Sequence, residues 1–457
     1  MQRFSHGFTL FAALGYAVNA LSQACPSSTY LHPFSSSSTT PTGIAYNASI
    51  QVSVVSNTTT GQFTSDEINA VNEVFHKWSD SLGAALSINT TSVESPPTSP
   101  TAPYVNIEFG DASAECGESA DACTRTFWST TTGRTDHAFM TIDWFYNSTG
   151  PIHPLVAHEV GHVFGIDDCN DSSCKKNVTI MNEEPNDNDQ RISPACCDRK
   201  LLYSMTSHAY GSAACTPKIV QGVAYLDATW DHTSVSATFQ HNPESGNSIV
   251  VGCLAITASG PLGVVTDNKT DEADAELTNI YRKVTSGLTN PGYAFNSIYV
   301  ANQIYSSPPY NGTSGDFTIS CPNSSGEEDA INLFALEVAD LALVDPNPDA
   351  TVANAADDDS TCTNLTLTTS VSNDLIVGLY NNYTGASPAN IAVDAGYSFP
   401  DCIGGEDGKC VAQDGSTYEV SGLATGIVSS SGVTSIGFTG PNSVQSCSAA
   451  AFKPVGP

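Results

Sequence analysis

Basic residues are scarce in this chain: 15 Lys and Arg stand against 47 Asp and Glu in 457 residues, a formal charge of -32 at pH 7. Such a polyanion is repelled by phosphate backbones and acidic lipid surfaces, which argues against nucleic acid or an anionic membrane as partner. The same charge suits solubility in an acidic or crowded exterior. Long apolar runs are missing too, since beyond the first residues no segment could span a bilayer. The closing Lys453-Pro454-Val455-Gly456-Pro457 lacks the hydrophobic tail of a lipid-anchor signal. There is no Ser nucleophile elbow and no nucleotide loop. Asp167, Asp168, Asn170 and Asp171 lie close together without calcium-loop spacing, so calcium has no sequence support.

What is present points to export. Residues 1–24 read as a secretory signal, with Arg3 as the positive end, a short apolar run from Phe8 to Leu21, and Ser22-Gln23-Ala24 before the cleavage point. The 14 cysteines are even in number and follow that point, as in a disulfide-bonded extracellular protein. Cys116/Cys123, Cys169/Cys174 and Cys402/Cys410 are spaced like small local loops. Acceptor triplets for N-glycosylation begin at Asn47, Asn57, Asn89, Asn147, Asn170, Asn177, Asn268, Asn311, Asn323, Asn364 and Asn382. In a chain this rich in Asn, Ser and Thr, chance accounts for roughly half to two-thirds of them. The excess fits a secreted glycoprotein.

Residues 25–43 form a Ser/Thr/Pro-rich leader, too short for a large folded propeptide. A first unit is expected over 44–222. Ile50 to Val54 alternates as a half-buried strand, and Thr64 and Glu67 form a capping box for a helix. That helix lines up Ile68, Val71, Phe75, Trp78 and Leu82 before Gly83 ends it. Ser95 to Pro103 is a loop, Val105 to Phe109 and Phe139 to Trp144 are strands, and Asn147 to Gly150 is a turn before a further helix. The interleaving predicts an α/β or α+β unit, with α+β taken as the class of the whole chain. Residues 223–457 change character to short β-rich runs, as in one or two β-sandwich modules, with a division near 345–360. Asn247-Ser248-Ile249-Val250-Val251-Gly252 is echoed by Asn373-Asp374-Leu375-Ile376-Val377-Gly378 as a weak repeat. Through Val265 to Lys269, Leu336 to Ala339 and Ala450 to Lys453, this region resembles sandwich modules appended to secreted bacterial proteins. An extracellular surface or a glycan is the partner such modules imply.

The chemistry lies in His158-Glu159-Val160-Gly161-His162-Val163-Phe164-Gly165-Ile166-Asp167-Asp168. Helical residues four apart sit one above the other, so His158 and His162 can offer nitrogens to one metal ion. Glu159 can reach a water on that metal. Gly165 can take the left-handed conformation that ends a helix, bringing Asp168 round as third ligand. HExxH alone is expected in about one random chain of this length in a hundred, and the added glycine and acid make chance far rarer.

The pattern resembles the metzincin zinc metallopeptidases, with the matrixin-like branch nearest, over about residues 44 to 205. Val178-Thr179-Ile180-Met181-Asn182 is similar to the family's Met-turn, whose methionine forms a hydrophobic floor beneath the metal. The resemblance implies a twisted mixed sheet with long helices and one catalytic Zn2+ on His158, His162 and Asp168. It also implies Glu159 as general base and a protein or peptide substrate paired along the strand at Phe139 to Trp144. Asp168 departs from the family's more frequent histidine. The leader has no recognisable cysteine switch, leaving Cys25 as the only thiol there to consider. The rival readings are a gluzincin using Glu183 or Glu184, and an inactive secreted binding protein with a degenerate protease head.

Overall fold

The structure is a computed structural model. It describes Cys25 and residues 43–455, apart from 46, 57–60, 99, 102, 118–119, 130, 147–151, 170–178, 182–191, 207–210, 212–213, 227–231, 245, 257–261, 269–278, 289–293, 302–303, 305–315, 324–329, 343–349, 357–361, 384–390, 413–418 and 441–443. The expected signal at 1–24, almost all of the leader, the turn at 147–150, Cys174, Glu183, Glu184 and the acceptors Asn57, Asn147, Asn170, Asn177 and Asn311 lie outside the described residues.

The chain is mixed, with sheets dominating. The N-terminal unit runs β1 (Ser49–Val55), α1 (Ser65–Leu82), β2 (Ser87–Val93), β3 (Tyr104–Gly110), α2 (Ala112–Cys116), β4 (Ala122–Trp128), β5 (Thr135–Asp143), α3 (His153–Val163) and α4 (Cys196–Met205). Thr64 and Glu67 close the reciprocal capping box at the start of α1, and Gly83 ends it at φ 63°. Its strands order as β2-β1-β3-β5-β4, parallel except for β4, which runs antiparallel to β5. One face of the sheet (Val52, Val54, Val105, Ile107, Phe109, Ala138, Met140) shares a core with Val71, Phe75 and Trp78 of α1 and Val156 and Val160 of α3.

The edge is not where the sequence places it. β5, which contains Phe139, is flanked by β3 and β4, and β4 is the edge. Thr124 and Thr126 alternate with Cys123, Arg125 and Phe127, so β4 shows no apolar stripe, because Thr126 serves the end of α3.

The β-rich region opens with β6 (Lys218–Tyr225), β7 (Ser234–Thr238), β8 (Ser248–Ile256), β9 (Thr266–Asp267), β10 (Arg282–Leu288), β11 (Ala294–Ala301), β12 (Thr318–Pro322) and β13 (Ala330–Ala339). It continues with β14 (Ala350–Ala356), β15 (Leu365–Thr369), β16 (Asp374–Tyr383), β17 (Ala392–Val393), β18 (Val411–Ala412), β19 (Glu419–Val428), β20 (Gly432–Ile436), β21 (Phe438–Thr439) and β22 (Val444–Phe452). Two large sheets, β10-β11-β8-β13-β6 and β18-β19-β16-β22-β14, share one strand order. The weak sequence repeat falls on the equivalent central strands β8 and β16.

One face of the first large sheet packs on β7-β12-β9, its other face on the second large sheet, and that sheet in turn on β15-β20 and β17-β21. The result is two sandwiches stacked into four layers. Both large sheets are therefore covered on both sides, which explains the apolar run of β8 from Ile249 and the burial of β13 on both faces from Ala330 to Val338. Between them, Asn296 Nδ2 donates to Ser446 Oγ at 2.9 Å, Ser448 Oγ to Asn296 Oδ1 at 2.6 Å, and Asn332 Nδ2 to Ser421 Oγ at 2.8 Å. These buried pairs fix how the sheets register.

Two boundaries move. β6 pairs with β13, so the β-rich region begins by Lys218 rather than at 223. Within the stretch 345–360, where a division is expected, β14 occupies 350–356 and pairs with β22, so the second sandwich begins by Ala350.

Disulfides join Cys25–Cys197, Cys116–Cys123, Cys196–Cys215, Cys253–Cys321, Cys362–Cys447 and Cys402–Cys410, and Cys169 is also disulfide-bonded. Oxidation removes Cys25 as a thiolate for zymogen control. Among the described acceptors, Asn47, Asn89, Asn268 and Asn364 are exposed. Asn323 and Asn382 are buried, the latter with Nδ2 donating to Tyr380 Oη at 2.9 Å, so the folded chain has no room for a glycan there. Among the described residues no helix is long and apolar enough to cross a membrane.

Candidate metal centre

Helix α3 starts with Pro154 in its first turn, where a missing N–H costs nothing, and ends in a Schellman motif. Gly165 stands at φ 94°, its N–H donating to His162 O at 3.0 Å, while the Ile166 N–H donates to Gly161 O at 3.0 Å. Two threonines of the sheet also donate to carbonyls at this helix end. Thr126 Oγ1 donates to His162 O at 3.0 Å, and Thr135 Oγ1 to Val163 O at 2.8 Å. The reversal at Gly165 returns the chain towards the helix and presents Asp168 to both histidines.

Asp168 Oδ1 lies 2.9 Å from His158 Nε2 and 3.4 Å from His162 Nε2. Side-chain ligand atoms of His158, Glu159 and His162 also lie within 4.8 Å of one another. Both Glu159 and Asp168 thus approach the histidines, but Asp168 Oδ1 sits against both Nε2 atoms. His158 Nδ1 is 3.0 Å from Ile180 O, and His162 Nδ1 is 2.8 Å from Ile166 O. Carbonyl oxygens only accept, so each Nδ1 carries a hydrogen, and in a neutral imidazole Nε2 is then a bare lone pair. Two lone pairs and a carboxylate oxygen therefore converge. Acceptors at such distances need a proton or a cation between them.

The electrostatics express the same demand. Burial opposes a charge on His162, but the hydrogen bond the protonated ring donates to Asp168 and the nearby charges of Glu159 and Asp168 outweigh it, holding the imidazole up to about 9. Burial likewise opposes ionisation of Asp168, yet hydrogen bonds from His158 and His162 keep its carboxyl well below the usual range. Glu159 is buried beside them, and its Oε2 has no hydrogen-bond partner among the described residues. Asp167 turns away, its Oδ1 accepting from the Asp168 N–H at 3.0 Å.

Met181 is fully buried and packs against Gly161 of α3. A Cβ on Gly161 would run into the Met181 thioether and come within 3.2 Å of Trp78 Cη2, so a side chain there requires Met181 to move. The turn carrying Met181 is tied to α3 and α4. The Cys169 N–H donates to Met181 O at 2.5 Å. Asp198, fully buried in α4, accepts from Thr179 Oγ1 at 2.5 Å, the Ile180 N–H at 2.9 Å and the Ala195 N–H at 2.8 Å.

The sequence reading missed Gly161, Thr126, Thr135 and Asp198. Asp198 occupies the third position of a helix, where an acid is ordinary, so no local signal set it apart. No family model and no curated protein matches this sequence, so the chemistry rests on the geometry.

Proposed function

We propose that this chain is a secreted zinc endopeptidase of the metzincin type. The observation that carries the reading is the convergence of His158 Nε2, His162 Nε2 and Asp168 Oδ1, with both Nδ1 atoms committed to carbonyls and Glu159 adjacent. Two imidazoles and a carboxylate are a zinc ligand set that leaves a fourth position open. Bound there, zinc supplies Lewis acidity and lowers the pKa of a coordinated water towards ~7.

The chain's own residues do the rest. The free Oε2 of Glu159 accepts a proton from the attacking water and later hands it to the leaving amine. The carbonyls of Ile166 and Ile180 hold the imidazole tautomers. The edge strand β4 offers its outer main-chain groups to an extended peptide, beside the end of α3 that Thr126 caps. The disulfides suit an oxidising exterior.

The test is Glu159→Gln in the full chain, with zinc content and cleavage of a denatured protein measured together. Stoichiometric zinc with cleavage reduced by at least ~100-fold is expected. Undiminished cleavage would remove Glu159 from the mechanism. Zinc binding without cleavage by the unsubstituted chain would favour the binding-protein reading.

A further inference from the structure

The β-rich region grips the N-terminal unit at the segment leading into α4. Glu244, between β7 and β8, turns its carboxylate onto that segment. Its Oε1 accepts from the N–H groups of Ile192 and Ser193, both at 2.9 Å, and from Ser193 Oγ at 2.8 Å. The Glu244 peptide is held in turn, its N–H donating at 2.8 Å to Glu337 Oε1, which also accepts from Asn247 Nδ2 at 2.6 Å. Glu337 is buried in β13, and Gln221 Nε2 donates to its Oε2 at 2.7 Å. A second clamp lies one helical turn on. Arg199 pairs with Asp340 just past β13, and its Nη1 donates to Pro194 O at 2.9 Å.

Two residues beyond Ser193, the Ala195 N–H donates to Asp198 Oδ2, the oxygen that also accepts from Ile180. Ile180 O then takes the Nδ1 proton of His158. A short relay of hydrogen bonds and one stretch of backbone thus joins the core of the first sandwich to a histidine of the candidate centre. We propose that Glu244 is a positioning residue for His158: the β-rich region, through this carboxylate, sets the Ile180 carbonyl and hence the direction of the metal-facing Nε2. This inference rests on the metal-centre reading. It makes the β-rich region part of the centre's support rather than an appended module.

The test uses the full chain and zinc alone, titrated against a competing chelator, with cobalt absorption as a second readout of ligand geometry. Loss of an outer partner of a metal-bound histidine typically costs 10- to 100-fold in metal affinity; Glu244 acts through the Ile180 carbonyl that is that partner, so Glu244→Ala is expected to lose about 10-fold, the lower end, and to shift the cobalt bands. Glu244→Asp keeps the charge but is one methylene short of Ile192 and Ser193, so it should lose affinity as well. Glu244→Gln retains an accepting oxygen and should stay within about threefold of the unsubstituted chain. Lys409→Ala, in an exposed pair with Asp401 in the second sandwich, should change nothing. Unchanged zinc affinity and cobalt bands in folded Glu244→Asp or Glu244→Ala would overturn the proposal. An unsubstituted chain that binds no zinc would overturn the metal-centre reading instead.

Discussion

Asp167 and Asp168 are adjacent, chemically equal and differently placed. Asp168 faces both imidazoles, whereas Asp167 closes onto the neighbouring backbone. Asp168→Ala is expected to weaken zinc binding by at least ~100-fold, because it removes one of the three proposed ligands, while Asp167→Ala stays within a few-fold. Isothermal titration of both variants checks this, and the reverse ranking would discard Asp168 as ligand. The sequence could separate the two only because Gly165 announces where the chain turns. His158 and His162 were legible for a similar reason, since a four-residue spacing on a helix is local geometry. Asp198 and Glu244 were not legible. Each acts on backbone that folding alone brings near, and neither sits in a pattern that differs from ordinary surface acids.

Helices α1 and α3 cross where Trp78 stacks on Phe164, ring centroids 5.3 Å apart, and Gly161 lets Met181 approach. Alanine in a helix interior normally gains about 1 kcal/mol over glycine. Here the new methyl meets an enclosed thioether, and overpacking of that kind costs about 1–3 kcal/mol, so Gly161→Ala should destabilise. In a double-mutant cycle with Met181→Ala the two losses should fall short of additivity by on the order of 1 kcal/mol. Strict additivity in urea unfolding would show that Met181 is not what the methyl meets. Elements with one apolar face, α1 and β1 among them, could be read from periodicity. β4 could not, because threonines interrupt its apolar positions and one of them, Thr126, serves a helix end instead of a core. The large sheets gave only "sandwich", since strands buried on both faces carry no alternation to orient them.

Across the whole molecule, the clamp between the regions contains one titrating group with a clear sign. Burial is the main cause of the raised pKa of Glu337, opposed by the donors Asn247, Gln221 and the Glu244 N–H; the result lies at about 7, against an ordinary 4.5. Between those values the folded chain binds a proton that the unfolded chain releases. The stability this group contributes is therefore complete below about pH 4.5 and is lost as pH rises through about 7. The expected loss is on the order of 3 kcal/mol. Urea unfolding of the unsubstituted chain and of Glu337→Gln, compared at pH 5 and pH 8, isolates it. A stability difference between the two proteins that does not change with pH would contradict the assignment. Charge composition alone showed a polyanion, and nothing in it distinguished this one buried acid from the remaining carboxylates.

The Cys25–Cys197 disulfide joins positions 172 residues apart and anchors Cys25 to the second residue of α4. A protease nick between Cys25 and β1 would leave two polypeptides in a single covalent molecule. Shedding the piece that carries Cys25 would then take a reductant as well as a cut. A nicked chain would run at full mass on a gel without reductant and lose its small fragment only when thiol is added.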